Sequence, residues 1–311
     1  MKKNILVTGA MGHIGSSLIR ILPKYINGNF ILVDNFYAQR YCSLFNLPKK
    51  VNYELYDFDI NQKDLNNFIK KKIDIVIHLA AFTDATKSVG NEKEYLKNNL
   101  GITKKILEFC KKKKAKLIYI SSTSIYGTQN KLVDENCKSN ELNPQSPYAI
   151  SKFKEENLIN EYYKKYKIKN TILRFGTIFG VSKGMRFHTA VNKFCYQASM
   201  NQRITVWKTA LNQKRPYLDL VDGVRSILFV IKKDLFDGQI YNVLTHNLTV
   251  KEIITEIKKK YRKQKIKFVS SPIMNQLSYE VSTQKFLLEG FIYKGNISTG
   301  IKKTLKLLEL K

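Results

Sequence analysis

Asn4-Ile5-Leu6-Val7-Thr8-Gly9-Ala10-Met11-Gly12-His13-Ile14-Gly15 decides the fold. A short run, apolar on both faces, delivers the chain into a Gly-x-x-Gly-x-x-Gly turn, and the amphipathic pattern IGSSLIRILPKYI follows at once. Runs of this kind predict strands buried in a parallel sheet, where helices cover both faces. Five more follow: FILVDN (30–35), VNYELYDF (51–58), IDIVIHLAA (73–81), KLIYISS (116–122) and NTILRFG (170–176). Helical patterns such as LKNNLGITKKILEFCKKK separate them, so the chain alternates strand and helix. That rhythm predicts an α/β fold, a doubly wound parallel sheet of Rossmann type with right-handed crossovers.

The glycines of the turn have a physical purpose. Side chains at Gly9, Gly12 and Gly15 would keep a pyrophosphate from the N-terminus of the following helix, where free N–H groups and the dipole favour anions. The apolar strand before and the helix after are the context that such a turn requires. Asp34 ends the second run, where an acidic residue hydrogen-bonds adenosine ribose hydroxyls and repels the additional phosphate of NADP. The expected cofactor is therefore NAD, with Arg40 the nearby group able to soften that preference.

After Gly180 the rhythm changes. A helical stretch near Thr189 to Ala198 gives way to PYLDLVDGVRSILFVI (216–231) and then to mixed elements. The expected division is a nucleotide-binding unit over 1–180, rejoined by 216–235, and a smaller α/β substrate-binding lobe made mainly from 181–311. No repeat or low-complexity linker separates them, so a cleft between packed lobes is expected.

Composition narrows the class. With 43% hydrophobic residues in 311, the chain can fill a core, and it is expected to be globular and soluble. Four cysteines, Cys42, Cys110, Cys137 and Cys195, show neither short pairing nor Cys-x-x-Cys, which suits a reducing cytoplasm. The two lysines before the first apolar run imitate an export signal, but glycines interrupt the run too soon. No stretch reaches the roughly 18 apolar residues of a membrane span. The 54 Lys+Arg against 25 Asp+Glu would attract phosphate. The lysines, however, fall in short clusters at helix ends (70–72, 111–114, 258–260), where they complement helix dipoles. A solvated basic surface that draws in anionic substrates is expected, with no nucleic-acid partner.

Tyr148 and Lys152 stand four apart in SPYAISKFKEENLI and share a helix face. A tyrosine titrating near ~10 is a poor base at neutral pH until an ammonium stabilises its phenolate. Order strengthens this pair: the glycine turn, Asp34, His78-Leu79-Ala80-Ala81, Asn98, Ser121-Ser122-Thr123-Ser124-Ile125-Tyr126-Gly127, then Tyr148 and Lys152. The sequence here resembles the extended short-chain dehydrogenase/reductases, in particular the NAD-dependent epimerase/dehydratase family that contains UDP-glucose 4-epimerase. The resemblance continues through Arg174-Phe175-Gly176-Thr177-Ile178-Phe179-Gly180, Arg215-Pro216-Tyr217 with Asp222, Tyr241-Asn242-Val243 and LEGFIYKGNISTGIKKTL.

The resemblance implies roles. Ser122 would hydrogen-bond the reacting sugar oxygen, Tyr148 would be the acid/base, and Lys152 its electrostatic partner and a ligand of the nicotinamide ribose. Gly9, Gly12, His13, Ile14, Gly15, Asp34 and Asn35 would hold the cofactor from one side. Asp59, Ile60, Leu79, Ala80, Ala81 and Asn98 would complete its binding site. Thr123, Thr177, Arg186, Asn192 and Arg215 are the candidate substrate contacts, the arginines and the amide being suited to diphosphate oxygens.

Departures sharpen the expectation. Dehydratase members carry Asp-Glu after the catalytic hydroxyl, where this chain has Thr123 and Ser124, and Ser124 also replaces the glutamate of decarboxylating relatives. Thr177 stands where many members carry asparagine. The expected activity is epimerisation of a nucleoside-diphosphate sugar, at carbon 4 of a hexose and through a keto-sugar, in the making of surface-polysaccharide sugars. A sugar-nucleotide dehydrogenase or ketoreductase is the alternative, followed by a non-catalytic NAD-sensing or nucleic-acid-binding protein. His78 reads as a satisfied core residue and His13 as a substitution for a commonly aromatic turn residue. His188 and His246 lack companions at ligand spacing, so no metal is expected. A homodimer is expected, packing the helices of Asn98–Lys111 and Tyr148–Tyr163 through Leu100, Ile106, Leu107, Ile150, Leu158 and Ile159, positions that would serve equally as core.

Overall fold

A computed structural model describes residues 2–270 and 278–309, and every candidate site residue lies within them. The six apolar runs form strands Lys3–Thr8, Gly28–Asp34, Asn52–Asp57, Ile75–His78, Lys116–Ser122 and Asn170–Phe175. All pair in parallel with their neighbours in one sheet. From Lys3–Thr8 the sheet grows first through Gly28–Asp34 to Asn52–Asp57, then on the other side through Ile75–His78. The connections leaving the carboxyl ends of Lys3–Thr8 and Ile75–His78 therefore diverge and open a crevice, the usual ligand position in such sheets.

Apolar residues on the two sheet faces pack into separate cores. Ile5, Val7 and Leu32 face one layer, which contains the helix His13–Ile21, and Leu6, Ile31 and Val76 face the other. The helical pattern after the glycine turn stops early. Pro23 has no N–H and enters a tight 3₁₀ turn, Leu22–Lys24. The long helix Glu92–Lys113 ends on left-handed Lys114, with Lys111, Lys112 and Lys113 in its last turn as dipole logic expects.

The smaller lobe contains a three-stranded sheet in which Lys214–Asp219 lies between Thr177–Phe179 and His246–Thr249. A parallel pair, Ile204–Trp207 with Ile266–Val269, adds to it. Helices Ala190–Ser199, Val250–Lys258 and Ile297–Leu307 surround a third core.

The two lobes interleave more than a break at residue 180 suggests. Within 216–235, the strand portion joins the smaller sheet, whereas the helix Leu220–Lys233 shares the core of the large one. Ile240–Val243 then pairs in parallel with Asn170–Phe175 and becomes the outermost strand on that side. Without it the apolar strand Asn170–Phe175 would present an open edge.

Of the residues expected on a sticky helix face, Ile106, Leu107 and Ile159 are fully buried in the core behind the sheet. Leu100, Ile150 and Leu158 remain half-buried. No helix among the described residues is long and apolar enough to cross a membrane.

Candidate active site

The glycine turn is built on close backbone approach. Gly9 has φ +66°, and a Cβ there would lie 2.7 Å from the Ala80 nitrogen. A Cβ on Gly15 would lie 2.5 Å from the Gly9 carbonyl oxygen. Gly12 precedes the helix His13–Ile21 in extended backbone and brings no side chain to cap it. The first helical N–H groups, which lack intrahelical partners, are thus available to an anion.

Asp34 organises this turn as well as facing the crevice. Its Oδ2 accepts from the Met11 N–H at 2.9 Å and its Oδ1 from the Phe36 N–H at 2.9 Å. Burial raises the carboxyl above its ordinary value, while those two N–H groups and Arg40 act in the opposite direction. His13 donates through Nε2 to the Gly180 carbonyl at 2.8 Å and ties the turn to the smaller lobe. Burial first, then the charge of Arg186, lower it to about 3, so it is neutral.

A cavity of about 170 Å³ opens here. Gly9, Gly12, His13, Ile14 and Gly15 line it from the turn, and Asp34 and Asn35 from the second strand end. Asp59, Ile60, Leu79, Ala80, Ala81 and Asn98 complete the wall. All the residues expected around the adenine, its ribose and the pyrophosphate thus meet in one place. The absence of a side chain at Gly12, an uncapped helix N-terminus and the Asp34 carboxylate at the second strand end fit a dinucleotide, whereas a Cβ at Gly9 or Gly15 would meet backbone, so those two glycines serve the packing of the turn and not, as expected from the sequence, the approach of the pyrophosphate. Two of the polar side chains also have structural partners: Asp59 accepts from the Asn61 N–H at 2.7 Å, and Asn98 accepts from the Asn61 amide at 3.1 Å.

A second cavity, about 400 Å³, adjoins the first, with Ile14, Leu79, Ala81, Thr83 and Arg186 lining both. Ser122, Thr123, Tyr148, Lys152, Thr177, Arg186 and Arg215 all line the larger one. Ser122 ends a central strand and caps the next turn, its Oγ accepting from the Ser124 N–H at 3.2 Å and lying 2.9 Å from the Ser124 hydroxyl. Tyr148 sits in the first turn of the helix Pro147–Tyr166, started by Pro147 and capped by Ser146, which accepts from the Ala149 N–H at 3.1 Å. One turn later Lys152 is almost wholly buried and donates to the Tyr119 hydroxyl at 3.0 Å.

The substrate candidates divide. Arg186 donates to the Thr83 hydroxyl at 2.7 Å, and its buried Nε has no partner among the described residues. Burial lowers its guanidinium below the ordinary value, while Tyr148 acts to raise it. Arg215 lies over the Trp207 ring at 5.7 Å. Thr123 lines the cavity but is buried, its hydroxyl donating to the Phe175 carbonyl at 3.3 Å. Asn192 does not line either cavity. It is fully buried, accepting from the Gly180 N–H at 3.1 Å and donating to the Arg186 carbonyl at 3.0 Å, so it shapes the backbone that carries Arg186.

His78 is a satisfied core residue as expected, bonded to Thr8 at 2.8 Å and Thr103 at 3.2 Å, and burial lowers it to about 3. His188 lines the larger cavity, where burial and then Arg186 lower it to about 4. Among the described residues no group of three His, Cys, Asp or Glu is placed to hold a metal.

Sequence reading gave no site role to Trp207, Tyr119 or Tyr217, the last of which stands in the quoted Arg215-Pro216-Tyr217. Trp207, the single tryptophan, ends a strand whose Ile204 and Val206 are buried while Thr205 and Trp207 are half-buried. The alternation was visible, but not which cleft its outer face met. Tyr217 lines the larger cavity with a buried hydroxyl that has no partner among the described residues.

The NAD dependent epimerase/dehydratase family model matches residues 5–243, a span containing every candidate site residue. A dTDP-D-glucose 4,6-dehydratase of Dictyostelium discoideum is 34% identical over 78% of this chain, but this chain spans only 58% of that protein. An ADP-L-glycero-D-manno-heptose-6-epimerase of Brachyspira hyodysenteriae is 29% identical over 98% of both chains. The crystal structure of UDP-glucuronic acid 4-epimerase from Bacillus cereus, in complex with UDP-glucuronic acid and NAD, superposes with a TM-score of 0.87 at 26% identity, covering 98% of each chain. The chain belongs to the NAD-dependent epimerase/dehydratase family and is an enzyme whose cofactor is NAD.

Proposed function

We propose that the enzyme epimerises a nucleoside-diphosphate hexose at carbon 4 through a keto-sugar intermediate. The observation that carries this reading is the meeting of two cavities: the dinucleotide cradle opens into a larger space walled by Ser122, Tyr148 and Lys152. Gly9, Gly12, Gly15 and Asp34 would hold NAD, which would supply hydride acceptance and return.

Tyr148 takes the proton of the C4 hydroxyl as the carbonyl forms and gives it back when the carbonyl is reduced. Lys152 stabilises the phenolate electrostatically and would hold the nicotinamide ribose. Ser122 donates to the sugar oxygen and holds it in line with Tyr148. Rotation of the keto-sugar presents its other face, and reduction there inverts the centre. Arg186 and Arg215 hold the diphosphate, and Thr177 contacts the sugar.

Elimination of water needs an acid and a base beside the sugar. Ser124 lines the cavity after Thr123, so hydroxyls stand where a dehydratase would place carboxyls. Asp84 is the acidic side chain among the described residues lining this space, and it caps a short helix by accepting from the Thr86 and Lys87 N–H groups. Both facts support epimerisation over dehydration.

The wider reading is a cytoplasmic homodimer that supplies sugars for surface polysaccharide and binds no nucleic acid. Leu100, Ile150 and Leu158 supply the contact between subunits, and a monomer by light scattering would refute the dimer. Thermal melting with NAD present and each of UDP, GDP, dTDP, CDP and ADP tests the substrate class, since a ligand of the native state raises the melting temperature. A rise with one nucleotide is expected, and no rise with any of them counts against a nucleotide sugar.

A further inference from the structure

Two adjacent carboxylates on the helix of Tyr148 have opposite fates. Glu156 is bound on two sides by Arg174, with Nε–Oε1 at 3.0 Å and Nη2–Oε2 at 2.7 Å. Glu155 points beneath the active site and is completely buried. Its Oε2 accepts from the Tyr119 hydroxyl at 2.6 Å and the Thr103 hydroxyl at 2.8 Å, and lies 3.5 Å from the Lys152 Nζ. Tyr148, Lys152 and Glu155 follow the i, i+4, i+7 row of one helix face.

The surroundings of Glu155 are otherwise uncharged. His78 approaches from the neighbouring strand through Thr103 and is held neutral, chiefly by burial and then by Lys152. Burial first and Glu155 second push the Tyr119 hydroxyl well above its ordinary value, so it remains a donor to the carboxylate. Helix Glu92–Lys113 contributes Thr103, which does not titrate. Glu156 is neutralised by Arg174. Lys152 in the cavity wall and Glu155 behind it thus form a charged pair, in which the Glu155 Oε2 is hydrogen-bonded and its Oε1 has no partner among the described residues.

We propose that Glu155 is a positioning residue for the reaction: its carboxylate, anchored by Tyr119 and Thr103, fixes the Lys152 ammonium and moderates its pull on the Tyr148 phenolate. The proposal rests on the assignment of Tyr148 and Lys152 made above. Glu155 touches neither substrate nor cofactor. Its carboxylate is the negative group beside Lys152. Removing it should move both limbs of the pH profile of kcat/KM to lower pH.

The test compares wild type with Glu155→Gln, which keeps the shape, and with Glu155→Asp, which keeps the charge. Glu155→Leu supplies a neutral replacement if the amide does not fold. The readouts are kcat/KM against pH and the ultraviolet tyrosinate absorbance step, the latter identified by its disappearance in Tyr148→Phe. In a neutral variant we expect both to move toward acid by about one pH unit or more, since charges at the Lys152–Glu155 separation interact by about 1 kcal/mol even with the screening of bulk water. Glu155→Asp should restore much of the wild-type position. A neutral variant that folds and superposes on wild type in both readouts would overturn the proposal, and a lower melting temperature with unmoved profiles would show a merely structural role. The tyrosinate step needs no turnover: a shifted step in an enzyme inactive on every nucleotide sugar would support Glu155 while refuting the substrate reading.

Discussion

Gly12→Ala separates cofactor binding from folding. Gly12 has extended backbone of φ −67°, which alanine adopts without strain. The added Cβ would meet the Gly9 carbonyl oxygen at 3.2 Å and the Arg40 Nη1 at 3.9 Å, so a shift of a few tenths of an ångström accommodates it. Folding stability should change by about 1 kcal/mol or less, as for a mild substitution. The methyl nevertheless stands at the helix N-terminus, where the pyrophosphate must approach. Loss of two charge-assisted hydrogen bonds, each about 1.5–3 kcal/mol, costs about 3–6 kcal/mol. That corresponds to a rise in Kd of about 10² to 10⁴-fold. Fluorescence titration with NADH, beside a melting curve without ligand, reads the two effects separately. Gly15→Ala is the control, because its Cβ would lie 2.5 and 2.6 Å from the backbone oxygens of Gly9 and Ala10, and the turn itself must yield. A Gly12→Ala protein that binds NADH within a few-fold of wild type would refute this reading of the turn.

Asp34→Ala should raise the preference for NADPH over NADH by about tenfold, since it removes the charge that repels the additional phosphate and leaves Arg40 beside it; an unchanged ratio of the two Kd values would remove Asp34 from cofactor selection. His78 has its folded value lowered from 6.5 to about 3, so the unfolded chain takes up the proton first. Its contribution is intact above pH 6.5 and is lost as pH falls toward 3, at about 1.4 kcal/mol per pH unit. The pH dependence of urea unfolding should therefore be flatter in His78→Gln by that slope, and parallel curves would contradict it. Arg174→Met, which strands the buried Glu156, should cost about 3–5 kcal/mol in urea unfolding, and Arg174→Met/Glu156→Leu should recover most of it. A double variant no more stable than the single would refute that account of the pair.

Local pattern made the large sheet legible, because buried parallel strands carry unbroken apolar runs and the glycine turn marks where the first one ends. The residues expected at the cofactor line one cavity for a related reason: apart from Asn98, which lies in the helix Glu92–Lys113, they follow a strand's carboxyl end, and the strand order brings those ends together. Long-range choices were less visible. Ile240–Val243 is a short apolar run like several others, and only the exposed edge of Asn170–Phe175 explains its return to the large sheet. Asn192 has the amide chemistry of a diphosphate ligand, but two backbone partners at the lobe junction occupy it. Glu155 sits in the row of Tyr148 and Lys152, yet a charged residue at that spacing ordinarily marks a solvated face. Its burial depends on Tyr119 and Thr103, from two other elements.

The most direct test of the central claim uses a nucleotide hexose deuterated at carbon 4, chosen by the melting screen and incubated with the purified enzyme without added cofactor. Proton NMR of the sugar should show the C4 epimer with its deuterium retained, and no product from Tyr148→Phe. Exchange of the deuterium for solvent hydrogen, accumulation of an oxidised sugar in step with reduced cofactor, or full activity in Tyr148→Phe would contradict the account.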